Sequence, residues 1–147
     1  MSLEVERLAL VQQLGQTYRS WLAAFESEVG YCLPRWRILI QLYQMDQPCS
    51  QKQLVDILEI DPGSLSRLLQ CLDKQGWVRR KTSKKDGRYI EVALTSSGQY
   101  EVERCLPLRQ SFIENTLSGI PDAHLFIFKS VLILLDERCR SDIKYSL

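Results

Sequence analysis

The spacing of hydrophobic residues predicts a mainly helical chain. From Leu3 to Val29 the large apolar residues recur at intervals of three to five positions, which is close to the period of a helix. Gly30 ends this pattern, and Pro34 suits the first turn of a second helix that reaches at least Leu42. We therefore expect a long amphipathic helix at the N-terminal end, followed closely by a shorter one.

The next two predicted helices are short and lie close together. The stretch Ser50–Gln53 forms a capping-box pattern at the start of a helix that runs to about Leu58. Asp61 and Pro62 then supply an N-cap and a first-turn proline for a helix that ends near Gln75. Two short helices joined by a turn of a few residues are typical of a helix-turn-helix.

The second of these helices has two faces of different chemistry. Its leucines recur at i, i+3, i+4 and i+7, which directs them to the core: Leu65, Leu68, Leu69 and Leu72. The opposite face and the first turn carry short or hydrogen-bonding side chains, namely Pro62, Gly63, Ser64, Ser66, Arg67, Gln70 and Lys74. Short side chains at the start of this face would let the backbone come close to whatever the helix docks against.

A β-hairpin is predicted directly after this helix. Residues 77–82 and 89–94 have the alternation of strands, and Asp86 with Gly87 marks the turn between them. The residues of the second strand that we expect to point inward are Ile90, Val92 and Leu94. The tip carries Lys84, Lys85 and Arg88. A hairpin after a helix-turn-helix is the arrangement of a winged helix.

Two further helices complete the predicted fold. The first starts from a cap at Thr95 or Ser96 and runs to about Leu117. Pro121 suits the first position of the last helix, which continues to about Cys139. The predicted fold class is therefore mainly α with a small β-hairpin.

Positive charge is concentrated in one part of the chain. The 147 residues carry 19 Lys and Arg against 18 Asp and Glu, so the net charge is only +1. Residues 61–94 alone hold eight basic and four acidic side chains, a net of +4. Such a block indicates a local anion-binding surface; a solvated basic hairpin without a partner is the alternative.

Composition and motifs exclude several other classes of protein. The apolar fraction of 45% and the charged fraction of 25% are typical of a globular chain. Five widely spaced cysteines without a C-x-x-C pair, and His124 as the one histidine, predict reduced thiols and no metal site. No secretion signal is evident, and the apolar stretch 125–135 is too short to cross a membrane. Without catalytic or nucleotide-binding motifs, we expect no enzyme, no cofactor and a cytoplasmic location.

Several short motifs occur in and around the predicted winged helix. They are Gln53-Leu54-Val55, Ser64–Leu69, Leu72-x-x-Gln75-Gly76-Trp77-Val78, Asp86-Gly87-Arg88 and Val92-x-Leu94-Thr95-x-x-Gly98. Together with the order of the elements they resemble the MarR family of transcriptional regulators, in particular its SlyA-like members. The resemblance implies a winged helix-turn-helix lobe over residues 34–98, flanked by dimerisation helices over 1–33 and 99–147. It also implies a homodimeric repressor on a pseudo-palindromic operator in double-stranded DNA.

The DNA hypothesis assigns contacts to two surfaces. The second motif helix would enter the major groove, where Arg pairs with guanine and Gln with adenine, through Pro62, Gly63, Ser64, Ser66, Arg67 and Gln70. The wing and the start of the first motif helix would contact phosphates through Lys84, Lys85, Asp86, Arg88, Ser50 and Gln51. In the family pattern Asp86 orients Arg88. Capping alone is the alternative for Ser50, and a solvated strand edge is the alternative for residues 79–81.

The resemblance further implies regulation by a small molecule. Such proteins commonly bind a small aromatic or amphipathic acid between the dimerisation helices and the winged lobe, which releases DNA. The candidate pocket residues are Tyr18, Trp21, Phe25, Arg35 and Trp36, and a plain aromatic core is the alternative. Two other readings stay open: a redox-sensing regulator, with Cys32 and Cys49 as exposed thiols near helix ends, and a winged helix that binds proteins instead of DNA.

Overall fold

The computed structural model describes residues 2–45 and 47–144, with side chains as far as Ser141. In chain order the described elements are α1 (Leu3–Val29), α2 (Leu33–Gln44), β1 (Cys49–Ser50), α3 (Gln51–Leu58), α4 (Pro62–Lys74), β2 (Val78–Thr82), β3 (Ile90–Leu94), α5 (Ser96–Leu117) and α6 (Asp122–Lys144). The chain separates into two compact units, Met1–Phe112 and Ile113–Leu147. The predicted terminal parts also include residues 1 and 145–147, which lie outside the described residues.

The ends of the helices follow the predicted local signals. Gly30 ends α1 in the left-handed region, with φ 91°. The capping box of α3 is present: the amide of Gln53 donates to Ser50 Oγ at 3.0 Å, and the amide of Ser50 donates to Gln53 Oε1 at 2.8 Å. At the start of α4, the amide of Ser64 donates to Asp61 Oδ2 at 2.9 Å. These contacts satisfy amides that have no partner within their own helix.

The sheet has three strands, where the sequence predicted two. Strand β3 lies in the middle and pairs antiparallel with both β1 and β2. The register of the hairpin runs from Val78 opposite Leu94 to Thr82 opposite Ile90. Because β1 has only two residues, it shows no alternation that sequence analysis can detect.

The core of the first unit lies between its helices and one face of the sheet. Leu65, Leu69 and Leu72 of α4 are fully buried, as predicted, while Leu68 is half-buried and packs against the same cluster. The largest other fully buried side chains are Ile38, Leu39, Leu54, Val29, Val78, Val92 and Val102. Burial of the leucine face fixes the rotation of α4, so its opposite face is turned to solvent.

The start of α5 is held against the turn between α4 and β2. Thr95 Oγ1 donates to the carbonyl of Gly76 at 2.6 Å and accepts the amide of Gly98 at 3.0 Å, so Thr95 is the cap. The amide of Thr95 also donates to the carbonyl of Trp77 at 3.0 Å. A Cβ atom at Gly98 would lie 2.0 Å from that carbonyl oxygen, so the close approach requires glycine. The Thr95–Gly98 motif is therefore a junction between α5 and the winged helix.

Three sequence predictions are wrong in detail. Ile90 is 44% exposed instead of pointing into the core, because it pairs with Thr82 at the outer end of the hairpin. Cys49 is buried, since β1 places it opposite Val92. Helix α6 starts after Pro121 and runs five residues beyond Cys139, where charged pairs such as Arg140 with Asp136 at 2.8 Å continue it after the apolar pattern ends.

Neither a single helix that could span a membrane nor a cluster of metal ligands occurs among the described residues. No single helix among them is long and apolar enough to span a membrane, although α5 and α6 taken together as a bent pair pass the same test of length and composition. No group of three or more His, Cys, Asp or Glu side chains in that part of the chain is arranged to hold a metal ion.

Candidate nucleic-acid interface

The exposed face of α4 presents hydrogen-bonding groups without acidic neighbours. Pro62, Gly63, Arg67 and Gln70 are exposed, and Ser64 and Ser66 are half-buried. Between the capping residue Asp61 and Asp73 the helix carries no carboxylate. The five donors of an arginine and the mixed donor and acceptor of a glutamine can read base edges, because these display both kinds of group.

The first turn of α4 is open and well defined. The hydrogen bond from the amide of Ser64 lowers the pKa of Asp61 below its usual range, so the cap stays ionised at neutral pH. A Cβ atom at Gly63 would come within 3.2 Å of Asp61 Oδ2. Glycine therefore leaves room at the point where the backbone of α4 is most accessible.

Two residues that sequence reasoning missed set the path of the chain between α3 and α4. Glu59 adopts the left-handed conformation, with φ 51°, at the C-cap of α3. Arg37 Nη2 donates to the carbonyl of Leu58 at 2.8 Å and so ties α2 to the end of α3. A non-glycine residue with positive φ carries no strong sequence signal, and the partner of Arg37 lies 21 positions away. Neither contact was therefore visible in the sequence.

Ser83 organises the loop at the tip of the wing. It is nearly buried, and its hydroxyl accepts the amides of Lys85 at 3.3 Å and Asp86 at 3.4 Å. The same hydroxyl donates to Glu91 Oε1 at 3.1 Å, and the amide of Ser83 donates to the carbonyl of Tyr89 at 2.8 Å. The signal that could have identified it is a serine two and three residues before the loop amides, the spacing of a side-chain turn.

The predicted contact between Asp86 and Arg88 is present and forms a fork. Arg88 Nε donates to Asp86 Oδ1 and Nη2 donates to Oδ2, both at 3.1 Å, and the amide of Arg88 donates to Oδ1 at 3.1 Å. These bonds lower the pKa of Asp86, chiefly through the Arg88 side chain. The side chain of Arg88 is nevertheless 85% exposed. The guanidinium is thus oriented by its neighbour while its outer edge stays available.

The other residues predicted to contact phosphates differ in their exposure and in the hydrogen bonds that they already make. Lys84 and Lys85 are exposed beside the fork. The hydroxyl of Ser50 is engaged in the capping box, and Gln51 is half-buried, with its Oε1 atom buried and lacking a partner among the described residues. Arg80 is held by Asp73 of α4 at 3.3 Å and is also half-buried, so it connects the hairpin to the helix instead of lying on a solvated edge.

The structure places the predicted pocket residues mainly in an aromatic core. Phe25 and Trp36 are buried, Tyr18 is exposed, and Trp21 and Arg35 are half-buried. The contacts among them and their neighbours are Trp21 stacked on Phe25 with centroids 5.3 Å apart, the edges of both rings against Phe112 at 5.6 Å, Arg109 over Trp36 at 5.5 Å, and Arg35 Nη2 to Cys71 Sγ at 3.0 Å. Sequence reasoning missed Phe112 and Arg109. Two cavities of the first unit, of about 450 and 320 Å³, are lined by other residues.

The five cysteines differ in accessibility, and two of them are buried. Burial raises the pKa of Cys49 and of Cys105, which disfavours the reactive thiolate at both positions. Cys32 and Cys71 are half-buried, and Cys139 on α6 is exposed.

Comparisons with known proteins agree with this geometry. The family model described as MarR family matches residues 32–88, which include α2, α3, α4 and the tip of the wing. The winged-helix part of the chain is therefore similar to the MarR family. The regulator TtmR of Methylorubrum extorquens, named as an HTH-type transcriptional regulator, is 33% identical over 62% of this chain and 44% of its own length. Overall, the chain spans about half the length of the curated relatives it matches.

Solved structures extend the likeness beyond the matched region. A probable transcriptional regulator from Pseudomonas aeruginosa has a TM-score of 0.76 and 25% identity, over 83% of this chain and 92% of that one. A mutant of MarR from E. coli complexed with operator DNA has a TM-score of 0.79 and 19% identity, over 92% of this chain and 99% of that one. These matches confirm the predicted winged-helix fold. The surface of α4 and the tip of the wing both fall within the residues that match the MarR family model.

Proposed function

We propose that this chain is a MarR-family regulator, a sequence-specific DNA-binding repressor that acts as a homodimer on a pseudo-palindromic operator. In this proposal residues 34–98 form the DNA-binding lobe, and residues 1–33 and 99–147 supply the dimerisation helices. The observation that carries it is the Asp86–Arg88 fork, a guanidinium that is held in place yet faces solvent. The acid-free face of α4 in the same lobe supports major-groove reading, and the fork supports a phosphate or minor-groove contact.

Exposed apolar surface supports the homodimer. Helix α1 exposes Leu3, Val5, Leu8, Leu10, Val11, Leu14 and Tyr18, and helix α6 exposes Phe126, Ile127, Phe128, Val131, Ile133, Leu134 and Leu135. Exposed apolar side chains in this number are unfavourable in water unless a partner covers them. A second copy of the chain presents the same helices and is the occupant we propose.

Binding to the promoter of its own gene, titrated over salt against random DNA of equal length, tests the proposal. We expect promoter-selective binding that weakens steeply with salt, because released counterions contribute to the affinity. Equally weak binding to both DNAs, with a dimer still present, would favour the protein-interaction alternative.

Two substitutions at the wing test the role of the fork. Arg88→Ala should weaken operator binding about tenfold, the usual cost of a charge-assisted hydrogen bond. Asp86→Asn should also weaken it, although it removes a negative charge that faces DNA. If Arg88 acted only as an unoriented charge, Asp86→Asn would strengthen binding, so the sign of this effect decides between the two roles.

We further propose that a small aromatic or amphipathic acid releases the DNA. Arg35 supplies the cation for a carboxylate, and Tyr18, Trp21, Phe25 and Trp36 supply the aromatic walls. The burial of Phe25 and Trp36 requires the site to open at the exposed side, next to Tyr18. Quenching of tryptophan fluorescence by benzoate or 4-hydroxycinnamate, lost in Arg35→Met, would support this site; no quenching by either acid would contradict it.

A further inference from the structure

The outer face of the wing sheet carries a pocket that shares only Lys84 and Lys85 with the proposed DNA contacts. It has a volume of about 320 Å³, and we call it the outer-face pocket. Four cations surround it: Arg79, Lys81, Lys84 and Lys85. Pro48, Thr82, Glu91 and Ala93 complete the lining, which is mostly apolar. A concave site of this size matches a small molecule at the lower end of the usual range of ligand pockets.

The alternation of β2 explains why the cations collect on this side. Val78 is buried and Arg80 reaches Asp73 of α4, so the residues between and after them, Arg79 and Lys81, point to the other face. Across the strand pair, Arg79 lies opposite Ala93 and Lys81 lies opposite Glu91. A small residue opposite the first cation leaves the space that forms the floor of the pocket.

The positive charge of the outer-face pocket is not balanced within the lobe. Within the described part of the chain, none of its four cations has an ion pair within 4 Å of an acidic oxygen. The one carboxylate in the lining, Glu91, already accepts the hydroxyl of Ser83 at 3.1 Å. Four positive charges against one negative charge repel one another in the free protein, and a bound anion relieves that repulsion.

We propose that the outer-face pocket binds a phosphorylated small molecule that has at least two negative charges and a body with an apolar face, such as a nucleoside diphosphate. The lysines and the arginine meet the phosphate oxygens, and the apolar floor packs against the body. Glu91 retains acceptor capacity for a sugar hydroxyl. A DNA backbone presents a convex row of phosphates, which meets the rim of such a pocket without filling it.

Occupation of the pocket would also affect DNA binding. Lys84 and Lys85 belong both to the outer-face pocket and to the wing tip, so a bound anion neutralises charge that the operator would otherwise use. This consequence rests on the proposed DNA function, whereas binding of the small molecule does not.

Calorimetry of the full chain without DNA, in magnesium-free buffer at physiological salt, tests the site directly. The probes are ADP, pyrophosphate and adenosine. We expect saturable binding of one ADP per chain, weaker binding of pyrophosphate and none of adenosine. If neither ADP nor pyrophosphate shows saturable binding, the proposal is overturned.

Three variants separate a shaped pocket from a merely charged surface. Ala93→Phe fills the floor and keeps all four cations, and it should weaken ADP binding at least tenfold. The exposed pair Arg79→Ala with Lys81→Ala should do the same, and it keeps the test available if Ala93→Phe does not fold. The matched control, Lys52→Ala with Lys74→Ala, removes the same charge from α3 and α4 and should leave ADP binding unchanged. The proposed pocket site would be overturned if folded Ala93→Phe binds ADP as well as the unmodified chain does. It would also be overturned if the control variant loses as much ADP affinity as the pocket variants.

A DNA arm distinguishes this proposal from the proposed function. ADP should weaken binding of the promoter duplex to the unmodified chain and have no effect on Ala93→Phe. If the duplex binds and ADP does not, the pocket is overturned while the DNA function stands. If ADP binds and the duplex does not, the pocket stands and the DNA function fails.

Discussion

The winged-helix lobe and helix α6 use hydrophobic residues in opposite ways. In the lobe, three of the four leucines of α4 are fully buried, and Arg80 of the hairpin is paired with Asp73 of the same helix. Helix α6 instead leaves Phe126, Phe128 and Leu134 exposed. The lobe therefore buries the apolar face of α4 within one chain, whereas the exposed apolar side chains of α6 fit the proposed dimer. The contrast separates residues that stabilise the fold from residues that the proposed dimer would cover.

The sharpest way to break the lobe is to add one methyl group at its junction with α5. Gly98→Ala places a Cβ atom 2.0 Å from the carbonyl oxygen of Trp77, so we expect a loss of about 3 kcal/mol in the free energy of unfolding. Ordinarily the same change inside a helix stabilises it by about 1 kcal/mol, so the sign itself is diagnostic. Urea denaturation measures the effect.

A matched control is available in the same lobe. A Cβ atom at Gly87 meets nothing within 4 Å, so Gly87→Ala should leave the urea midpoint nearly unchanged. Equal urea midpoints for the two variants would show that the backbone at the junction can shift to accept a Cβ atom, and would contradict the requirement for glycine at position 98.

A charge on α6 should affect assembly but not folding. Phe126 is 76% exposed, so Phe126→Glu removes little packing within one chain and should change its unfolding free energy by less than about 0.5 kcal/mol. If a second copy covers it, the loss of each buried aromatic side chain costs about 2 kcal/mol, so the dimer should weaken by roughly 30-fold or more. Sedimentation over a range of concentrations measures the dimer.

The comparison can be sharpened with the same substitution on the lobe. Ile57 of α3 is 48% exposed, and Ile57→Glu should leave the dimer intact. If both variants sediment like the unmodified chain, the exposed face of α6 is not the dimer interface.

The smallest expected effect lies at the hydrogen bond between Tyr31 and Glu101. Burial, followed by this bond, raises the pKa of Tyr31 to about 12, so the folded state holds the phenol proton more tightly than the unfolded state does. The stability contributed by this proton is complete below pH 10 and is lost as the pH rises toward 12. In Tyr31→Phe, the unfolding free energy should fall less between these pH values.

The substitution Tyr31→Phe removes the hydroxyl and keeps the aromatic ring. Tyr31→Phe retains the edge contact with Trp77, whose centroid lies 5.2 Å from that of Tyr31, and should cost about 1 kcal/mol at neutral pH. An unchanged slope between pH 10 and 12 would contradict the assignment of that proton to Tyr31.

Features encoded by short sequence patterns could be predicted. The bounds of α1 and α3, the cap at Asp61 and the leucine face of α4 all depend on residues within one or two turns of each other. The partners of Arg37 and Arg80, the strand β1 and the covering of Trp36 by Arg109 depend on contacts between distant segments. Such contacts follow from packing, which no local pattern specifies. The exposure of Ile90 was missed for the same reason, because strand alternation gives the face of a residue but not where the core ends.

For the candidate site, the sequence predicted which residue types are present better than whether their side chains are exposed and available to a ligand. Asp86 and Arg88 meet as expected because they are two positions apart in one loop. Ser50 and Gln51 were also predicted to contact phosphates. In the structure the hydroxyl of Ser50 caps α3, and Gln51 is half-buried. The outer-face pocket also escaped the sequence analysis, since it depends on which residue of β3 lies opposite Arg79.

The junction at Thr95 and Gly98 has a mechanical consequence. Its hydrogen bonds join the first turn of α5 to the backbone of Gly76 and Trp77, the two residues between α4 and β2 that directly precede the wing. Because Gly98 has no side chain, the backbone of α5 packs directly against the carbonyl of Trp77. We therefore expect a displacement of this end of α5 to move the backbone of Gly76 and Trp77 with it, and so to reach α4 and the wing through direct contacts.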